Sequence, residues 1–544
     1  MRKKLICLLL CLSVLLPATL AGCGEQSDNS DGMEEESSTR PAVTLSMWVI
    51  SEKDISPETE ALIEEAVNEV TQSKYTTKVD LSFFTEDAYY AALEEKMAAI
   101  QEYKANAGAS APIVLPGVST EETEASTAET IVNELGMRVL KYPDLDENQL
   151  DIIFLAGKDR LRSYADAGYL SVLDTNLNST SKVLKDYIFP TFLDQVKYNK
   201  NTYAIPNNHL IGEYTYLLIN KALAEKYYFD TSSVTSFVEC ADLIEDIGRN
   251  ESGVPAVLSY ADPVNMHYWL GDGEMSILVS YVATAATIGN RTIMRQAFET
   301  ASFTNHMLLM KKCEENGWFA ENPDTTESFG VAIMQGDYKL REEYGEDYTV
   351  KVLSYPAAEE NTVYESMFAV SSYTVNLDRS MEIITYLNTD STLKNILQYG
   401  VEGVHYELDE DDNLVYLNDD YRMNNLYTGN MFMSHPEPGM DLDIWEVQKA
   451  ANRDSKISPY FGLSDEWGKV DTLLMAQLEE ISAEYIDRMQ QCATEAELSE
   501  FFQTAKTELS QNEMVKAAFS TDADSNSPYA VYSRWFEVLW PSAE

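Results

Sequence analysis

Apolar residues recur along the chain at two periods, and the alternation between them predicts an α/β protein. Val43 to Val49 (VTLSMWV) reads as a first strand. Ser56 and Pro57 then supply an N-cap and a first-turn proline, and Leu62, Ile63, Ala66, Val67 and Val70 fall on one helical face. Lys78 to Phe83 predicts a second strand and Ala88 to Tyr103 a second helix. That order predicts a mostly parallel sheet covered by helices. Residues 105–130, dominated by Ala, Ser, Thr, Gly and Pro, read as an exposed insertion.

The alternation resumes at Asp151, where DIIFLAGKDRL predicts a short buried strand stopped by Gly157, Lys158, Asp159 and Arg160. Such a stop is either a surface turn or a cleft wall, because open α/β sheets present ligand groups past the carboxyl ends of their strands. Val196 to Pro206 predicts a hairpin, and Tyr214 to Ile219 a strand that enters a helix after Asn220. Further strands are predicted near 254–260, 330–335, 348–354 and 367–370. Helices are predicted over 274–288, 291–316 and 378–388, then on to Tyr399. Val404 to Leu417 alternates on both sides of an acidic turn, as a hairpin does, and the tail from 466 to 540 is mainly helical.

The amino terminus changes the picture from a generic α/β chain to an exported one. Arg2, Lys3 and Lys4 precede an uncharged apolar run from Leu5 to Leu16, which predicts a secretory signal over 1–22. Leu20-Ala21-Gly22-Cys23 resembles a bacterial lipobox, which implies lipidation of Cys23. Residues 23–40 then read as a lipid-anchored flexible tether, polar and acidic without an aromatic. One lipid chain holds a protein only marginally, so the resemblance implies more than one acyl group. No later run reaches the ~18 apolar residues of a membrane span, and the longest, Ser276 to Ile288, reads as a buried helix.

Composition mostly excludes. Outside the signal and Cys23, only Cys240, Cys313 and Cys492 remain, which form neither a disulfide framework nor a zinc pattern. A net charge of −51 disfavours a nucleic-acid partner. No His-Glu-x-x-His, Gly-x-Ser-x-Gly or phosphate-loop motif occurs, and the five histidines are dispersed. Ser391 to Lys394 matches Ser-x-x-Lys without its usual partner motif and reads as chance. Asp409, Asp411, Asn413 and Asp420 fit a calcium loop, but Leu414 stands where that loop needs Gly, so a solvated turn is expected. With 90 acidic residues, a carboxylate pair in sequence says nothing about glycoside hydrolysis. The 33 tyrosines and 7 tryptophans are more suggestive, since such rings offer apolar faces to sugar rings and a polar rim.

Lipobox, acidic tether, an α/β region, TYAIPNN followed by YLLINKAL, and a second α/β region together resemble extracellular solute-binding lipoproteins of bacterial ABC importers. The carbohydrate branch, typified by maltose-binding protein, is the nearest likeness, over about residues 43 to 400. The resemblance implies a two-lobed, periplasmic-binding-protein-like fold (type II) with an interlobe ligand cleft and a helical C-terminal region. The first lobe would be 41–211 plus 356–430 and the second 212–355 plus 431–544, with Asn207 to Gly212 as hinge. It implies ligand contacts from Trp48, Glu52 and Lys53, from Asp159 and Arg160, and from Glu213. Looser correspondences add Asp262, Trp269 and Tyr338, the last where a stacking Trp is usual. Two departures alter the expected geometry: Leu155 replaces an aromatic, and one extra residue precedes Asp159.

The function implied is capture of a sugar or oligosaccharide for an ABC importer. Such a protein is a monomer lipid-anchored at the outer face of the cell membrane, with no catalytic residue, cofactor or metal. The residues alone leave open a peptide or cationic metabolite as ligand, a surface-anchored glycoside hydrolase, and an adhesion module.

Overall fold

The computed structural model describes residues 40–106, 130–132, 138–260, 275–288, 291–522 and 524–539. The signal, Cys23, the tether up to residue 39, nearly all of the insertion, Asp262 and Trp269 lie outside the described residues.

A five-stranded sheet forms the first core. Its spatial order is Thr77–Thr85, Val43–Ser51, Ile152–Leu155, Met367–Val370 and Ala204–Pro206. The first three strands are parallel, whereas Met367–Val370 runs antiparallel to both of its neighbours, so the sheet is mixed rather than mostly parallel. The reason is topological: the chain re-enters this sheet from the second core and must run away from it. The strand pairs Met367↔Leu155 and Met367↔Pro206 therefore bring the carboxyl ends of the parallel strands and the start of Met367–Val370 to one edge.

Local chemistry fixes the early elements as expected. Ser56 Oγ accepts from Thr59 N–H at 3.2 Å, and Pro57 opens the helix Pro57–Tyr75. The buried face of that helix is partly polar. Ile63 and Val67 are joined by Asn68, whose amide both donates to Val79 O and accepts from Val79 N–H at 2.7 Å.

The second core is built on Tyr214–Asn220 between Val331–Gly336 and Tyr348–Ser354, all antiparallel. The helix predicted over 274–288 is corrected to two strands, Met275–Ser280 and Ala283–Ile288, joined by a turn at Tyr281 and Val282. The helix predicted from 291 begins only at Ala301, after a third strand, Arg291–Arg295. Alternation of Val, Ile and Thr with small residues suits a pleated surface, and β-branched side chains lose more freedom in a helix. The predicted strand near 254–260 is reduced to isolated bridges at Val257. The predicted 196–206 hairpin is only a tight turn: Tyr198 and Asn201 bridge across Asn199 and Lys200, both at positive φ, and Ala204–Pro206 joins the first sheet. Helices Thr472–Gln490 and Glu495–Gln511 complete this core, where Phe298 packs on Phe501 at 5.7 Å and Phe502 at 6.0 Å.

The chain passes between the cores near 207–213, near 355–357 and over 434–463. These passages are bonded to one another. Asn452 Nδ2 donates to His209 O at 2.7 Å, and Ala357–Ala358 pairs with Lys456–Ile457.

Candidate functional site

The strand Ile152–Leu155 is held in place by two tyrosines of the helix Glu86–Asn106. Tyr89 Oη donates to Phe154 O at 3.1 Å and accepts from Phe154 N–H at 2.8 Å, while Ala156 N–H donates to Tyr90 Oη at 3.1 Å. Gly157 then turns the chain at φ 93°, a conformation that favours glycine, and its N–H meets Tyr364 O at 2.7 Å. The abrupt stop in DIIFLAGKDRL is thus a backbone requirement as well as a display of charge.

Each charge after Gly157 has a different fate. Lys158 is only 9% exposed and lies 2.6 Å from Glu360 and 2.7 Å from Asp465, with Ser464 also against it. Arg162 pairs with the same Asp465, whose carboxyl is held below its usual range by these cations despite the opposing effect of burial. This network joins the first core to a segment whose Leu463 belongs to the second. Asp159 is exposed in the first turn of the helix Lys158–Asp166. Arg160 folds back, donating to Ala156 O at 2.7 Å, with its guanidinium 3.4 Å from the Tyr90 ring centroid.

That stacked pair ends a row of rings that starts at Trp48 and runs through the buried Tyr89. Trp48 lies on Phe84 at 4.4 Å, Phe84 meets Tyr89 at 6.0 Å, and Tyr89 meets Tyr90 at 5.0 Å. Trp48 sits three residues before the end of Val43–Ser51, half-buried against Phe84. Glu52 and Lys53 follow the strand end, both exposed, and turn toward residues 416–422: Lys53 Nζ donates to Asp419 O, and Glu52 lies near Arg422. Glu365, just before Met367–Val370, is exposed at the same edge, and partial burial raises its carboxyl pKa.

The second sheet presents a matching edge. The antiparallel pairs Gly336↔Tyr214 and Ser354↔Thr215 gather the start of one strand and the ends of two others beside the passages between cores. Tyr214 and Tyr216 stack at 5.5 Å as fully buried rings with Arg341 over both, and of these rings only Tyr355, which packs on Tyr214 at 5.9 Å, is exposed. Tyr214 Oη donates to Asp454 at 2.7 Å. Glu213 is exposed one residue before this strand, and Tyr338 is half-buried as N-cap of the helix Lys339–Tyr344.

The structure thus brings Trp48 and Arg160 to one row, sets Glu52 and Lys53 against 416–422, leaves Asp159 in solvent, and places Glu213 and Tyr338 on the second edge. Sequence reasoning missed Lys158, Tyr90 and Arg341. Lys158 was adjacent to the named pair, but its partner Glu360 is 202 residues away.

A depression of about 360 Å³ on the flank of the first core is lined by Asp174, Lys185, Asp194 and Lys197 among others. It contains no predicted site residue, and its polar groups already pair with neighbours, Lys197 with Asp194 at 2.8 Å and Lys185 with Asn178 at 2.6 Å. The strand edges are the better candidate because aromatic faces and charged groups converge there. Among the described residues, no group of three or more His, Cys, Asp or Glu is placed to hold a metal ion. In the acidic 409–413 turn, Asp409 accepts from the N–H groups of Asp411 and Asn413, each at 2.9 Å, as in a self-capped hairpin.

No family model matches the chain. Its sequence is similar to a carbohydrate ABC transporter substrate-binding protein of Streptococcus pneumoniae, 24% identical over 299 residues, or 50% of this chain. The match spans 59% of that relative's length. Among solved structures, the chain is similar to the N-glycan transport solute-binding protein NgtS of Streptococcus pneumoniae. That likeness has 17% identity, covers 92% of this chain and 99% of the other, and has a TM-score of 0.45. It is also similar to an extracellular solute-binding protein family 1 member from Alicyclobacillus acidocaldarius, at 12% identity, 87% and 100% coverage and a TM-score of 0.41. At these TM-scores the likeness carries no residue-by-residue correspondence.

Proposed function

We propose that this chain is a lipid-anchored extracellular solute-binding protein that captures a sugar or oligosaccharide, unchanged, for an ABC importer. Two lobes, 41–211 plus 356–430 and 212–355 plus 431–544, would close on the ligand as rigid bodies about the passages near 207–213 and 355–357. The observation that carries the reading is the partly exposed rings Trp48 and Tyr90 at one strand edge and the exposed Tyr355 at the other, beside those passages. The sequence likeness to a carbohydrate-binding relative supports the ligand class.

The chemistry fits that ligand. Rings such as Trp48, Tyr90 and Tyr355 would cover apolar sugar faces, at roughly 25 cal/mol per Å² of apolar surface buried. Asp159, Glu52, Lys53 and Glu213 are exposed or half-committed polar groups able to pair with hydroxyls, each such bond contributing about 1.5–3 kcal/mol. Cys23 would tether the chain outside the cell membrane. No helix among the described residues is long and apolar enough to cross a membrane. The chain would act as a monomer and hand its cargo to the importer's membrane subunits.

A thermal-shift screen of the chain from residue 24 onward tests the ligand class. A saccharide at 100 times its Kd is expected to stabilise the fold by about 2.7 kcal/mol. Stabilisation by a polyamine or peptide, with none by any mono- or oligosaccharide, would replace the carbohydrate reading by a cationic or peptide ligand.

A further inference from the structure

Residues 424–431 follow the hairpin of Tyr406–Leu408 and Leu414–Tyr416 and carry Tyr427 to the edge of the first sheet. The Tyr427 ring packs on Phe154 at 4.9 Å and 60°, and its phenol lies against Glu86 and near Tyr90. The ring stays partly exposed, whereas Thr428, Gly429 and Asn430 behind it are buried.

Three independent anchors fix this loop. The first is Lys394, fully buried on the helix Ser391–Tyr399. Its Nζ donates to Asn425 O at 3.0 Å, Asn425 Oδ1 at 2.6 Å, Gln398 Oε1 at 3.4 Å and Thr428 Oγ1, all neutral oxygens. Burial pushes the Lys394 pKa well down, with Glu437 acting against that shift, and an apolar side chain would fill the helix face more cheaply. What the lysine supplies is a hold on the loop's oxygens. The second anchor is Gly429 at φ 109°, where an added Cβ would come within 2.7 Å of Leu387 O. The third is a buried chain of amides. Asn430 Nδ2 donates to Asn388 O at 2.9 Å, and Asn388 Nδ2 donates to Asn207 Oδ1 at 3.0 Å. Met431 N–H donates to Asn208 O at 2.9 Å, so the loop is bonded to the start of the first passage between cores.

From this geometry we infer that Tyr427 is a specificity-determining residue of the interlobe site, and that Lys394 is the positioning residue that holds it there. The inference rests on the reading of the strand edges as a saccharide site. A ring packed on Phe154 and carried by a loop fixed at three points yields little to a mismatched ligand, so its face and the Tyr427–Glu86 pair would sort one hydroxyl pattern from another.

An array of immobilised glucose-, fructose- and mannose-containing oligosaccharides, probed with wild type and four variants, tests it. Tyr427→Ala is expected to weaken the retained glycans at least tenfold, and Tyr427→Phe to change their rank order. Lys394→Met is expected to change that order as Tyr427→Ala does. Leu393→Ala, a core change on the same helix, is expected to lower the melting temperature and leave the order intact. Wild-type affinity and order in both Tyr427 variants would overturn the inference and spare the saccharide site. A Lys394→Met protein that behaves like Leu393→Ala would remove the positioning role. Retention of no glycan by wild type would overturn the site and the inference together.

Discussion

Replacing Asp151 by Leu is expected to lower the unfolding free energy by about 4 kcal/mol, the largest single-residue effect anticipated outside the apolar core. Asp151 is fully buried and, among the described residues, pairs with no cation; five donors hold its carboxylate instead. Oδ2 accepts from Ser46 N–H at 2.8 Å, Ser46 Oγ at 3.2 Å and Gln149 Nε2 at 2.6 Å. Oδ1 accepts from Thr374 Oγ1 at 2.6 Å and Val375 N–H at 2.9 Å. One side chain thereby ties Val43–Ser51, the start of Ile152–Leu155 and the turn after Met367–Val370. Leucine would leave two backbone N–H groups without a partner, and each such loss costs about 1–3 kcal/mol. Asp151→Asn keeps one acceptor oxygen but points a donor at donors, so about half the loss is expected. Urea unfolding of both variants checks this; a leucine variant within about 0.5 kcal/mol of wild type would refute it.

The second large effect is a loss of stability in mild acid through His209. This residue lies in the first passage between cores, almost fully buried, with Nδ1 3.1 Å from Leu210 O and its ring 5.3 Å from Phe192. The nearest carboxylate among the described residues, Glu365, is 3.8 Å away and half-exposed. Burial pushes the His209 pKa down to about 4. The unfolded chain therefore takes up a proton near pH 6.5 that the folded chain refuses until about pH 4. Stability from this group is complete above the unfolded value and falls as pH drops through the window, by about 3 kcal/mol in all. Unfolding titrations between pH 7 and pH 4 should show this slope, and His209→Phe should flatten it by about one proton's worth. An identical slope in the variant would assign the acid sensitivity to carboxylates instead.

What the sequence made legible was local. The Ser56-Pro57 start, the strand Val43–Ser51 and the Tyr214–Asn220 strand with its Asn220 cap each carry their signal within a few residues. Residues 275–295 were misread because a short apolar run fits either a buried helix or strands, and only its β-branched content points to strands. The site was legible as strand ends and not as partners. Lys158 and Asp151 reach residues more than 200 positions away, a distance at which no spacing rule speaks. Lys394 attracted notice only through a chance motif, whereas its role depends on Asn425 and Thr428, which the fold brings beneath it.

A ligand gripped from both strand edges must lose affinity when either edge loses its ring. The most direct measurement is calorimetric titration of the saccharide that gives the largest thermal shift, using wild type, Trp48→Ala from the first edge and Tyr355→Ala from the second. At least a tenfold loss of affinity is expected in each variant, about 1.4 kcal/mol or more. Wild-type affinity in both would mean that the saccharide binds elsewhere, and would rule out a grip from both edges.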